Sequence, residues 1–264
     1  MTDHVTPAIP EPVGSPDPER REIRLEIEVP GSLEEVWQAI ATGPGITSWY
    51  VPHTVEERAG GAATASFGPG PEMQIPGRVA AWEPPHRIVF TGDTEGPGLA
   101  FEWLVEARDH GTCVVRLVNS GFGDGNPWDG QYDDMLGGWK LFLRNLWLHR
   151  TYFPGQDASS ALPMAMWPGA PEEVWPRLLT ALGLPAAPRA GERVTTAGDG
   201  VPPLAGTVAE VGPGRLALVL DQPAPGTAII AAEGHGEVAG VSLWAYLYGP
   251  AAPTLAAAHE ARAG

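Results

Sequence analysis

A chain of 264 residues has room for one large domain or two of roughly 100 to 150 residues. Hydrophobic residues make up 43% and charged residues 18%, which argues against wholesale disorder, while 34 glycines and 29 prolines, about twice their usual share, exclude an all-helical bundle. Sixteen basic against 32 acidic residues leave a net charge of -16, which repels nucleic-acid backbones and anionic membrane surfaces alike. Cys113 stands alone, so the chain can build neither an intrachain disulfide nor a cysteine metal site, and the expected location is the cytoplasm.

Residues 1–21 contain Pro7, Pro10, Pro12, Pro16 and Pro18 and no apolar run; they read as a disordered, proline-rich tail without a signal sequence or membrane span. From Glu22 to Val29 polar and apolar residues alternate strictly, which predicts a strand with one buried face. Pro30 and Gly31 end it. Ser32 and Glu35 then form an S-x-x-E capping box, and Leu33, Val36, Trp37 and Ile40 fall on one helical face. Short segments rich in valine, threonine and aromatics follow, near 54–57, 62–67, 77–82, 87–91, 99–107 and 112–119, joined by Gly and Pro turns as in an antiparallel meander. Beyond Asn126-Pro127 the period changes. Met135, Trp139, Phe142, Leu143, Leu146 and Trp147 mark a long amphipathic helix from about Trp128 to Phe153.

The same opening returns later. Pro30-Gly31-Ser32-Leu33-Glu34-Glu35-Val36-Trp37 is echoed by Pro168-Gly169-Ala170-Pro171-Glu172-Glu173-Val174-Trp175, six of eight positions identical at an offset of 138. Further echoes, Gly77-Arg78-Val79-Ala80 in Gly206-Thr207-Val208-Ala209 and Pro85-His86-Arg87-Ile88 in Pro213-Gly214-Arg215-Leu216, point to a trimmed second copy of one fold. Its strands are expected near 207–211, 215–221, 227–232 and 241–248, and its closing helix only over Pro253–Gly264. That helix, mostly alanine, is too short to wall a pocket. The sheet face it leaves, with Trp244 and Tyr246 or Leu247 and Tyr248, should pack on the first domain or on a second copy of the chain.

Strand, helix, antiparallel meander and long closing helix together make a helix-grip arrangement. The P-G-S-x-E-E-V-W-x-A-I opening, the G-I-T-S-W-Y segment, the G-R-V-x-x-W-E-P-P-H-R-I-V-F double strand and the G-W-x-x-F-L-x-x-L helix resemble the START-like (SRPBCC) superfamily, and within it the bacterial proteins homologous to the activator of the heat-shock protein 90 ATPase. The expected fold class is therefore α+β. It comprises two helix-grip domains, 22–155 and a degenerate 159–264, each an antiparallel curved sheet wrapped on a C-terminal helix. The resemblance implies a cavity that binds hydrophobic small molecules and, in some branches, cyclase chemistry inside it.

Alternation and helical period turn Trp49, Trp82, Phe90, Phe101, Trp103, Phe122, Trp139, Phe142 and Trp147 toward the helix or its mouth. The first eight are the candidate ligand-binding residues, against the alternative that each merely fills core. Gly137 and Gly138 interrupt the closing helix at roughly 1 kcal/mol each; either a strand passes close there or their missing side chains open the cavity. The seven histidines, His4, His53, His86, His110, His149, His235 and His259, show no ligand spacing, so no metal or other cofactor is expected. Ser48 and Ser120 lie in no nucleophile elbow. Asp133 and Asp134 suit the positive end of the closing helix, Glu102 and Glu106 should face outward, and Asp124 would repel phosphate from its glycine-rich stretch. Asp93, Glu95 or Tyr132 could stand at the rim as a general acid, with nothing to single one out.

The expectation is a cytoplasmic, non-catalytic protein that holds a small hydrophobic or aromatic ligand in its first domain. A co-chaperone that stimulates a heat-shock ATPase and a polyketide cyclase-type enzyme are the alternatives. Neither nucleic acid nor membrane is an expected partner, while a protein partner or a homodimer is left open.

Overall fold

The computed structural model describes residues 9–14, 16–17, 22–68, 70–93, 98–122, 127–198, 200–234 and 236–263. Two compact units divide the chain after Asp157.

The amino-terminal unit contains β1 (Pro16–Asp17), β2 (Glu22–Pro30), α1 (Leu33–Ala41), α2 (Gly43–Thr47), β3 (His53–Val55), β4 (Ala62–Ser66), β5 (Gln74–Glu83), β6 (Arg87–Gly92), β7 (Ala100–Arg108), β8 (Thr112–Ser120) and α3 (Pro127–Tyr152). Its eight strands pair in the order β1-β2-β8-β7-β6-β5-β4-β3. The alternation of β2 has the consequence read from sequence: Ile23, Leu25, Ile27 and Val29 are buried, against Cys113, Val115 and Leu117 of β8. Gly31 then turns the chain at φ 132°, where a Cβ would stand 2.4 Å from the Arg150 guanidinium, so only glycine fits. Ser32 accepts from the Glu35 amide at 3.3 Å, and Glu35 from the Ser32 amide at 2.9 Å. This reciprocal cap starts α1 and buries Val36, Trp37 and Ile40.

α3 differs from the amphipathic helix expected. From Trp139 to Arg150 every residue but Lys140 is buried, polar ones included. Asn145 donates to the Trp49 carbonyl at 2.9 Å, Arg150 to the Pro30 carbonyl at 3.2 Å, and Arg144 to the Glu11 carboxylate. Burying such groups is tolerated because they are paired. Glu11 belongs to the leader, whose described part is not a disordered tail. Val13 exchanges two backbone hydrogen bonds with Glu26, and β1 pairs with β2. The edge of β2 needs partners for its backbone groups, and an edge tolerates the leader's prolines.

The second unit contains β9 (Ser159–Ala161), β10 (Met164–Pro168), α4 (Pro171–Ala181), β11 (Arg193–Thr195), β12 (Ala205–Gly212), β13 (Arg215–Gln222), β14 (Gly226–Glu233), β15 (Val238–Leu247) and α5 (Ala252–Ala263). Its sheet runs β10-β15-β14-β13-β12-β11, with β9 also on β15. As in the first unit, an early strand pairs with the last strand and the meander runs back from there. α4 lays Val174, Leu178 and Leu179 on a core shared with Leu216, Leu218, Ile230 and Leu243. Its N-cap is Ala170, with no side-chain hydrogen bond, where the first unit has Ser32. Alternation along β15 sets Trp244, Tyr246 and Tyr248 on the face opposite Leu243, Ala245 and Leu247. That face is not left open, since Tyr246 is 0% and Tyr248 1% exposed. α5 has 12 residues against 26 in α3.

Candidate functional site

A cavity of about 360 Å³ lies within the amino-terminal unit. Its walls are the N-terminal half of α3 (Met135, Trp139), the end of α1 (Ile40), α2 and the segment after it (Ile46, Trp49, Tyr50), His53 at the start of β3, and residues of β4 to β7. Register decides which sheet residues reach it. Phe101 lies directly opposite Phe90, and Trp103 opposite Ile88, and directly opposed residues share a face.

Trp139 is the hub of the aromatic wall. Its ring centroid lies 5.5 Å from Trp103, 5.7 Å from Phe101 and 5.0 Å from Tyr50, and Trp49 meets Trp103 edge-on at 5.6 Å. The indole N–H of Trp139 donates to Asn119 Oδ1 at 3.3 Å, and that of Trp49 to the Ala39 carbonyl at 2.8 Å. The wall consumes these two donors itself. Among the described residues, no lysine, arginine, aspartate or glutamate lines the cavity.

Two titratable side chains do. The Tyr50 ring packs against Phe142 at 4.5 Å, and burial pushes its phenol above the usual range. His53 Nδ1 lies 2.8 Å from the Val51 carbonyl. A carbonyl only accepts, so Nδ1 carries the proton and Nε2 is an acceptor without a hydrogen-bond partner among the described residues. Burial holds the His53 pKa down to about 4, the hydrogen bond to Val51 opposing.

Residues 30–147 match the family model described as activator of Hsp90 ATPase homolog 1-like protein. The match spans most of the amino-terminal unit and less than half of the chain. Among solved structures, the Aha1 dimer protein of Colwellia psychrerythraea is similar at 19% identity, over 49% of this chain and 95% of that one, with a TM-score of 0.42. CalU16 of Micromonospora echinospora is similar at 18% identity, over 52% and 82%, with a TM-score of 0.41. DynU16, a protein of the dynemicin biosynthetic locus, is similar at 15% identity, over 92% and 94%, with a TM-score of 0.43. No curated protein matches the chain.

Within the matched unit the structure gathers Trp49, Phe90, Phe101, Trp103 and Trp139 around the cavity. Phe142 stands behind Tyr50. The other aromatic candidates lie elsewhere. A bulge between Val79 and Ala81 brings Trp82 opposite Ile88, on the inner face but against Trp37 of α1 at 5.1 Å. Phe122 follows the end of β8 and packs on Tyr132 at 5.0 Å, and Trp147 is buried two turns along α3 from Trp139. Tyr50 and His53 were not among the candidates. They follow a five-residue helix, Tyr50 in irregular chain and His53 at the start of the three-residue β3, too short a stretch for a period of 2 or 3.6 to assign a side chain to a face.

The rim candidates do not converge. Tyr132 donates to the Glu22 carbonyl at 2.9 Å and Asp93 is exposed; Glu95 and Asp124, like the side chains of Asp133 and Asp134, lie outside the described residues. Glu102 pairs with Arg87 at 2.6 Å and does not line the cavity. His4 and His235 also lie outside the described residues, among which no group of three or more His, Cys, Asp or Glu could hold a metal, and no helix is long and apolar enough to cross a membrane.

Neither explanation for the glycines of α3 holds. Among the described residues, a Cβ on Gly137 would meet nothing within 4 Å and one on Gly138 only Phe142 at 3.9 Å, so no described strand approaches, and neither glycine lines the cavity. Gly137→Ala should therefore stabilise the protein by about 1 kcal/mol through helix propensity alone. Thermal unfolding tests this, with the midpoint expected to rise by about 2–4 °C; a fall would reveal a contact at Gly137.

Proposed function

We propose that the amino-terminal unit is a non-catalytic binding module for a small, uncharged, largely apolar ligand held between α3 and the sheet. The observation that carries this reading is the aromatic cavity, which no charged side chain lines among the described residues. Its volume of about 360 Å³ is at the lower end of the 300–1,000 Å³ typical of ligand pockets, which fits a compound of one to three fused rings better than a long-chain lipid. A cyclase would need a general base, and a histidine held near pKa 4 is weakly basic at neutral pH. Stimulation of a heat-shock ATPase is the reading that the family's description favours, and an ATPase assay with the purified chaperone separates it from ligand binding.

The second unit is, in this reading, a degenerate copy of the first with a structural role. The repeated P-G-x-x-E-E-V-W segment, the shared strand order and the shortened α5 support it. A cytoplasmic location agrees with the free, buried Cys113.

Calorimetric titration with naphthalene tests the binding claim. One molecule should bind per chain, and Ala65→Phe, which fills the space beside His53 on the facing strand, should weaken it at least tenfold. Equal affinity in the variant would place binding elsewhere.

A further inference from the structure

Resting on the binding role proposed above, we propose that Tyr50 and His53 form a hydroxyl-recognition corner in the cavity, so that the ligand is a neutral aromatic compound bearing a phenolic hydroxyl. His53 Nε2 accepts the ligand's O–H, while the Tyr50 O–H donates to the same oxygen.

The argument starts from hydrogen-bond inventory. His53 is fixed on both sides of its backbone turn: its amide donates to Thr47 Oγ1 at 3.0 Å, and Nδ1–H donates to the Val51 carbonyl at 2.8 Å. The ring is thereby locked in one tautomer, with Nε2 as acceptor and no described partner. The Tyr50 hydroxyl likewise has no hydrogen-bond partner among the described residues, although its ring is held by Trp49, Trp139, Phe67 and Phe142. The two rings are neighbours, 5.5 Å between centroids, and both residues line the cavity. An acceptor and a donor on neighbouring rings, in a described lining whose other hydroxyls are those of Thr64 and Thr91, match a group that is both donor and acceptor. A hydroxyl is that group. A carboxylate is disfavoured, because it offers Nε2 no proton and would lie in a cavity that no cationic side chain lines among the described residues.

Calorimetric titrations of the full chain with naphthalene, 2-naphthol and 2-naphthoate separate the possibilities. The wild type should bind 2-naphthol at least tenfold more tightly than naphthalene, and 2-naphthoate more weakly than either. In Tyr50→Phe, which removes a single oxygen, and in His53→Phe, the advantage of 2-naphthol over naphthalene should shrink to threefold or less while naphthalene still binds. If naphthalene binds but the wild type shows no preference for 2-naphthol, or if both variants keep the tenfold preference, the hydroxyl corner is refuted and the apolar cavity stands. Loss of all three ligands from the wild type would instead refute the binding role itself. Circular dichroism of each variant separates lost recognition from lost fold.

Discussion

Trp139→Ala is expected to destabilise the amino-terminal unit by about 3–5 kcal/mol and to abolish calorimetric binding of naphthalene. Trp139 is 6% exposed and touches Trp103, Phe101, Tyr50 and Phe142 within 6.3 Å between centroids. Truncating it removes the shared wall of α3 and β7, and the neighbours cannot collapse into the gap because a cavity already lies beside them. It also takes away the indole donor to Asn119 Oδ1, whose side chain is buried within the sheet, adding the cost of an unpaired acceptor. Chemical denaturation measures the loss. A change below about 1 kcal/mol, far under the usual cost of such a truncation, would mean that α3 does not seat on the sheet as described.

Acid should weaken the fold well above the carboxylate range. Burial holds His53 at about 4, and burial together with the neighbouring Arg150 holds His149 at about 3, both below the roughly 6.5 of an unfolded histidine. Between those values the unfolded chain binds protons that the folded chain refuses, so stability is full above about pH 6.5 and declines as pH falls. From pH 7 to pH 5 each histidine contributes a loss on the order of 2 kcal/mol. Urea unfolding at pH 7, 6 and 5 should show this decline, and His149→Gln should remove about half of the slope. Stability constant between pH 7 and 5 would contradict the burial of both rings.

Sequence pattern revealed the parts of the fold where one physical rule acts alone. The alternation of Ile23, Leu25, Ile27 and Val29 needs only a single buried face, and the Ser32–Glu35 cap is local to four residues. The aromatic wall was partly legible for the same reason: Phe101, Trp103 and Trp139 lie on long regular elements whose period assigns a face. What escaped depends on tertiary partners. Nothing local shows that Arg144 and Asn145 will be buried, because the groups that satisfy them are Glu11 and the Trp49 carbonyl, far off in sequence. The same holds for the leader, which is extended by composition but paired only because β2 offers an edge. Tyr50 and His53 are the clearest case. Their side chains enter the cavity because Thr42 caps α2, accepting from the Gly45 amide at 3.1 Å, and Thr47 accepts from the His53 amide, two short-range bonds that no hydrophobic period announces.

The central claim, a ligand held between α3 and the sheet of the amino-terminal unit, is tested most directly by two-dimensional NMR of the indole N–H groups of the ten tryptophans during titration with 2-naphthol. Trp49, Trp103 and Trp139 line the cavity, whereas Trp167, Trp175 and Trp244 belong to the second unit. Saturable shifts at the first three, with the second three unmoved, are the predicted result; shifts confined to Trp167, Trp175 and Trp244, or none at all, would contradict it.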